Sequence, residues 1–225
     1  MIFSISLALI TILNLVLGII VYKQNPSAKV NRIFLGLSLS IGIWSGASAI
    51  NTFFQDAYIG NIIEKINYIA ALFIAFYFYL FCKNFLFEVK FLKIGWSVAY
   101  VAIIGVWVYI TFLTKLFVVY SEKTTWYVTN YHNQYAFIFW LITFLAPFLI
   151  GLVILVKKLK NADGVLREKI WTFWWLLLVS IAGGFFFDVF LTGIHQYQYN
   201  NIGPFFSLPF DLGIASLIYS RKNNR

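Results

Sequence analysis

Seven apolar runs follow one another along the chain and leave little sequence between them. A helix that crosses ~30 Å of hydrocarbon needs about 20 apolar residues, and each run reaches or approaches that length. Backbone polar groups in lipid must be satisfied within the segment, so such runs form helices. The sequence therefore predicts an all-α, seven-helix transmembrane bundle, a single domain over residues 1–225 without a soluble output domain. The runs cover residues 2–21, 33–54, 66–81, 94–114, 136–156, 170–193 and 202–220, and we expect the short third helix to begin earlier, near Ile62, with Glu64 and Lys65 at the interface.

The composition excludes several classes of protein. Only 11% of the residues are charged and 61% are hydrophobic, whereas soluble domains carry about 25% charged residues. A soluble enzyme and a disordered chain are therefore excluded, and the lone Cys82 excludes an internal disulfide. The net charge of +9 does not indicate a nucleic-acid partner, because the basic residues lie between apolar runs. We expect the lipid bilayer of the cell membrane to surround this multi-pass chain.

The distribution of basic residues predicts the orientation. All but Lys65, Lys115 and Lys123 of the 17 basic residues follow the first, third, fifth or seventh run. Short loops rich in lysine and arginine remain cytoplasmic. We therefore expect the N-terminus outside and the C-terminus in the cytoplasm.

Two aspartates, Asp188 and Asp211, lie within the sixth and seventh runs. A carboxylate inside a span costs at least ~2.5 kcal/mol on insertion scales and usually faces the protein interior. Residues four apart share a helix face, so Ser180 and Gly184 lie in line with Asp188, and Ser207 lies in line with Asp211. We expect these two stripes to face each other or a common cavity. The acids then either couple a proton or cation, or help the bundle to pack through hydrogen bonds.

Other polar side chains gather at the outer ends of the second and third runs. Trp44 and Asn51 share one face of the second run, while Asn67 and Tyr68 open the third. With Asp188 they predict the wall of an outward-opening ligand cavity, because binding sites combine an apolar, aromatic lining with a few polar groups. The alternative is that they are interfacial aromatic rings and helix-end amides bonded to backbone.

No pattern indicates catalysis, a cofactor or a metal site. His132 and His195 are the only histidines, and both fall outside the apolar runs without a ligand-like spacing. The last run has no interior lysine for a Schiff base. A small proton- or cation-coupled transporter that uses the two aspartates is the alternative function, although no internal repeat is visible. A scaffolding subunit of a larger complex is a third possibility.

Three stretches of the chain carry a recognisable pattern. They are Asn25-Pro26-Ser27 through Leu35 with Trp44, Glu64-Lys65-Ile66-Asn67-Tyr68-Ile69, and Ile202-Gly203-Pro204-Phe205 with Tyr219-Ser220-Arg221. These stretches resemble the seven-transmembrane sensor region at the N-terminus of many bacterial histidine kinases. The resemblance implies a membrane sensor that relays a small-molecule or membrane signal to a cytoplasmic partner, a kinase or another output protein. No phospho-accepting histidine follows the last run, so we expect either a sensor region alone or one that works through another chain.

Overall fold

The computed structural model describes residues 2–53, 56–85, 94–123, 128–162, 164–191 and 197–222. Within these ranges the chain forms seven α-helices and one antiparallel β-hairpin. The helices are α1 (Ile2–Gln24), α2 (Lys29–Phe53), α3 (Ala57–Asn84), α4 (Ile94–Leu113), α5 (Gln134–Lys160), α6 (Gly164–Gly184) and α7 (Ser207–Lys222). The strands are β1 (Val118–Lys123) and β2 (Val128–His132). A π-helical turn (Phe185–Phe190) continues α6, and a 3₁₀ helix (Tyr197–Phe206) leads into α7.

The helices confirm that the chain is a helical membrane protein. Five of the described helices, α1 to α5, are long and apolar enough to cross a membrane, and α6 contains a shorter apolar stretch, Ile170–Gly184. The number of spans and the side on which each terminus lies stay predictions. The β-hairpin is a departure from the all-α expectation. Its strands are rich in valine, threonine and tyrosine, which favour extended backbone.

Consecutive helices run in alternate directions, so the bundle has two distinct ends. The hairpin end carries β1, β2 and the connection at Asp56. The lysine-rich end carries Lys23, Lys83 and Lys158 in the last turns of α1, α3 and α5.

The helix α3 begins at Ala57, before the start near Ile62 that the sequence predicts. Asp56 is the N-cap, and its carboxylate accepts hydrogen bonds from the backbone N–H groups of Tyr58 and Ile59, each at 2.9 Å. Such a cap satisfies donors that have no partner within the helix. Glu64 therefore lies about two turns inside α3 rather than at its end.

Glycines bring α1 and α2 into close contact. A Cβ atom on Gly42 of α2 would lie 2.6 Å from the Leu15 side chain, and one on Gly18 of α1 would lie 2.6 Å from Ser38 Cβ. A larger residue at either position would force the helices apart. The close approach of these two helices therefore depends on a glycine in each of them.

A buried lysine joins α3 and α5 at the lysine-rich end. Lys158 is fully buried, and its Nζ donates hydrogen bonds to the backbone oxygens of Lys83, at 3.2 Å, and Phe85. The last carbonyl groups of a helix lack intrahelical partners and carry negative partial charge. The ammonium group therefore caps α3 and holds its end against α5.

Candidate functional site

A cavity of about 200 Å³ lies between α2, α3, α5, α6 and the segment that leads into α7. It combines residues that the sequence analysis had assigned separately to a ligand cavity and to two intramembrane stripes. Six of those residues line it together: Trp44, Asn67, Tyr68, Ser180, Gly184 and Ser207.

The end of the cavity nearest the hairpin is polar. Glu64 lines it and is only 9% exposed. Asn51 does not line the cavity, but its Nδ2 donates a 3.0 Å hydrogen bond to Glu64 Oε1 and so orients that carboxylate. Asn67 Nδ2 donates to Ser48 Oγ at 3.4 Å, while Asn67 Oδ1 is buried without a partner among the described residues. We call Glu64, Asn67 and Ser48 the acidic end of the cavity.

The opposite wall is an aromatic surface of α5. Phe137, Trp140, Phe144 and Phe148 line the cavity on successive turns of the helix, and we call these four residues the aromatic wall. Ring centroids lie 5.4 Å apart for Trp140 and Phe144, and 5.1 Å apart for Phe144 and Phe148. The lining continues along α5 to Leu152. At 1.5 Å per residue the α5 lining from Phe137 to Leu152 is ~22 Å long, so the cavity is elongated along the helix axes.

The cavity also reaches the flank of the bundle. Leu149 lines it and is 58% exposed, and it lies near the middle of α5. Both α5 and α6 contribute to the lining, yet they make few direct contacts with each other. These observations indicate a lateral opening between α5 and α6. If α5 crosses the membrane, this opening lies at the depth of the lipid acyl chains.

The two residues of the predicted α7 stripe have different surroundings. Ser207 lines the cavity, accepts a 3.0 Å hydrogen bond from Asn14 Nδ2 and donates one of 2.7 Å to the Pro204 oxygen. Asp211, one turn further along, is fully buried and is not among the residues that line the cavity. Neither of its carboxylate oxygens has a hydrogen-bond partner within the described part of the chain. It faces the protein interior, as expected of an acid inside a span.

Some predicted residues fall outside the description. Asp188 belongs to the π-helical turn, but its side chain lies outside the described part of the structure. The same holds for His195 and for the His132 side chain. Among the residues that are described, no three His, Cys, Asp or Glu side chains come close enough together to hold a metal ion.

Glu64 and the aromatic wall were not among the predicted site residues. Glu64 lies three residues before Asn67 and thus on the same helix face, but a third helix that begins near Ile62 places it at the interface. The aromatic wall shows the spacing of three, four and four residues that marks one side of a helix. That spacing was a usable signal, although it does not tell a cavity-facing side from a lipid-facing one.

The chain was compared with known proteins. A family model described as the N-terminal 7TM region of histidine kinase matches residues 6–221. No curated protein and no solved structure matches. The family match includes every described helix that lines the cavity.

Proposed function

The chain belongs to the family of N-terminal seven-transmembrane regions of histidine kinases, and from this premise we propose that it binds a small ligand in the cavity and relays its presence to a cytoplasmic partner. The family supports a role as a membrane sensor rather than as a catalytic domain. The ligand and the relay are our proposals. A histidine kinase or another output protein is the partner that the family suggests.

The proposed topology has seven spans, with the N-terminus outside and the C-terminus in the cytoplasm. In this topology the protein lies in the plasma membrane and its lysine-rich end faces the cytoplasm. This agrees with the excess of lysine and arginine in the cytoplasmic loops of membrane proteins. Five long apolar helices support this arrangement. The helix α6 with its π-helical turn and the 3₁₀ helix with α7 would supply the two remaining spans.

The observation that carries the proposal is the cavity itself. Its wall gathers a buried carboxylate, several amide and hydroxyl groups and a row of aromatic rings from several helices. Ligand sites have this character, since an apolar lining supplies affinity and a few polar groups supply orientation. The predicted residues Trp44, Asn67 and Tyr68, together with Ser180, Gly184 and Ser207, therefore remain our proposed site residues.

A relay to the lysine-rich end follows from how the helices are joined. Lys158 holds the ends of α3 and α5 together, so these helices should move as one unit. The few contacts between α5 and α6 leave that pair of helices free to separate when the cavity fills. A ligand would then shift α6 and α7 relative to α3 and α5, and α7 leads to the C-terminus.

The relay can be tested without knowing the ligand. Gly184 lines the cavity and a Cβ atom there would meet no described atom within 4 Å, so Gly184→Phe should imitate an occupied cavity. Spin labels would replace the exposed Lys160 on α5 and Thr172 on α6, in a background with Cys82→Ala. Dipolar broadening in lipid nanodiscs should report a change in the distance between the labels of about 1–2 Å, the usual size of a helix shift.

The control is Gly105→Phe on α4, where an added Cβ atom also meets no described atom within 4 Å, and this residue does not line the cavity. This variant should leave the label distance unchanged. If Gly184→Phe also leaves the distance unchanged, the proposed relay is wrong.

A proton- or cation-coupled transporter is the second candidate function. The observation that favours it is Asp211, whose buried carboxylate has no partner among the described residues. Substrate uptake that is abolished by Asp211→Asn would support the transporter. A label distance that responds to Gly184→Phe in protein that shows no uptake would support the sensor.

A further inference from the structure

We infer that the cavity takes an amphiphilic amine, with its ammonium group on Glu64 and its apolar tail along the aromatic wall. This inference rests on the proposed function, because it names the class of ligand for the same cavity. Three features carry it: the hydrogen-bonding character of the acidic end, the rings beside it, and the length and opening of the apolar part.

The acidic end offers acceptors that no described donor fully satisfies. One amide hydrogen of Asn51 donates to Glu64, and one amide hydrogen of Asn67 donates to Ser48. The Glu64 carboxylate and the buried Asn67 Oδ1 remain as acceptors. An ammonium group carries three donors and no acceptor, so it complements this end. A carboxylate or phosphate head group would be repelled by Glu64.

The charge of Glu64 has no counterion in the cavity. No lysine or arginine is present among the described residues that line it. A buried carboxylate without a cationic partner is costly, and a bound ammonium supplies that partner. Trp44 and Tyr68 line the same cavity, and the faces of such rings attract cations.

The apolar part sets the size of the ligand. Its wall is ~22 Å long along α5, yet the cavity volume is only about 200 Å³. A cavity of ~150 Å³ holds one benzene molecule, so this one accommodates a single short chain or an aryl-alkyl group and excludes a two-chain lipid. The lateral opening near Leu149 gives such an amphiphile a path from the bilayer.

The experiment compares two probes of equal tail and different head group, n-octylamine and 1-octanol. The full chain is reconstituted in nanodiscs of neutral phosphatidylcholine, and binding is measured by titration calorimetry after subtraction of empty nanodiscs. The wild-type protein should bind octylamine more tightly than octanol. Glu64→Gln should weaken octylamine binding about tenfold or more, the loss expected for a hydrogen bond to a charged group. Octanol binding by this variant should change by less than about twofold, because the uncharged hydroxyl both donates and accepts and can pair with the glutamine amide in place of the carboxylate.

Two variants serve as controls. Glu168→Gln removes an exposed carboxylate on α6 and should change neither affinity. Gly184→Phe fills the cavity and should weaken both probes. Should Glu64→Gln fail to fold, Asn67→Leu removes the second acceptor and should selectively weaken octylamine instead.

The outcomes separate this inference from the proposed function. If octanol binds as tightly as octylamine and Gly184→Phe weakens both, the amine class is wrong while the cavity remains a ligand site. If Glu64→Gln and Glu168→Gln weaken octylamine binding equally, nonspecific attraction of the amine to carboxylates explains the binding. The inference is then overturned. If neither probe shows binding that Gly184→Phe removes, both the inference and the cavity as a ligand site are wrong.

Discussion

Filling the cavity with a side chain should stabilise the protein as well as imitate its ligand. The backbone of Gly184 has φ −59° and ψ −48°, which any residue adopts, and its Cβ position is open. A buried cavity costs about 24 cal/mol per Å³ of its volume. If the benzyl group of Gly184→Phe fills half of the 200 Å³, the free energy of unfolding should rise by roughly 2 kcal/mol.

The assay is thermal unfolding in detergent, followed by circular dichroism. For a chain of this length 1 kcal/mol corresponds to about 2–4 °C, so the Tm of Gly184→Phe should rise by roughly 4–8 °C. Gly105→Phe is the reference, because it shares the gain of about 0.5 kcal/mol from replacing a helical glycine but fills no cavity. The neighbouring Gly183→Phe should lower the Tm, since its Cβ atom would lie 2.2 Å from the Phe206 ring.

The reasoning is refuted if the Tm of Gly184→Phe is no higher than that of Gly105→Phe. It is also refuted if Gly184→Phe is destabilised to the same degree as Gly183→Phe, because the space beside Gly184 would then be closed in solution.

Three further predictions follow from the bundle. Reporters fused after Arg225 and inserted at residues 121–131 should lie on opposite sides of the membrane, and finding both on one side would contradict the seven-span topology. Lys158→Met should destabilise the protein by about 3 kcal/mol in thermal or denaturant unfolding, because two buried carbonyl groups lose their donor, whereas Met in place of the exposed Lys160 should have no measurable effect. Asp211→Asn should leave the Tm unchanged or raise it, because replacing a buried charge with a neutral group removes a desolvation cost of at least ~1 kcal/mol. A fall in Tm for this variant would mean that the carboxylate has a stabilising partner.

The presence and order of the helices could be predicted from the sequence because lipid leaves the backbone few alternatives. Runs of about 20 apolar residues become helices, and the intramembrane acid Asp211 turns inward because its charge is expensive in lipid. The same reasoning identified Trp44, Asn67 and Tyr68 as one group and Ser180 and Ser207 as another. The family was identified from short stretches of sequence and confirmed over residues 6–221.

Tertiary structure decided which of these faces meet. An apolar side chain is about equally stable against lipid or against another helix, so hydropathy does not distinguish the aromatic wall from an outer surface. Packing of α5 against α3 makes that distinction. Hydropathy also does not predict the position of Glu64, which is a polar residue. That position depends on the cap at Asp56 and on the hydrogen bond from Asn51 of α2. Composition therefore determined what enters the membrane, and helix packing determined what encloses the cavity.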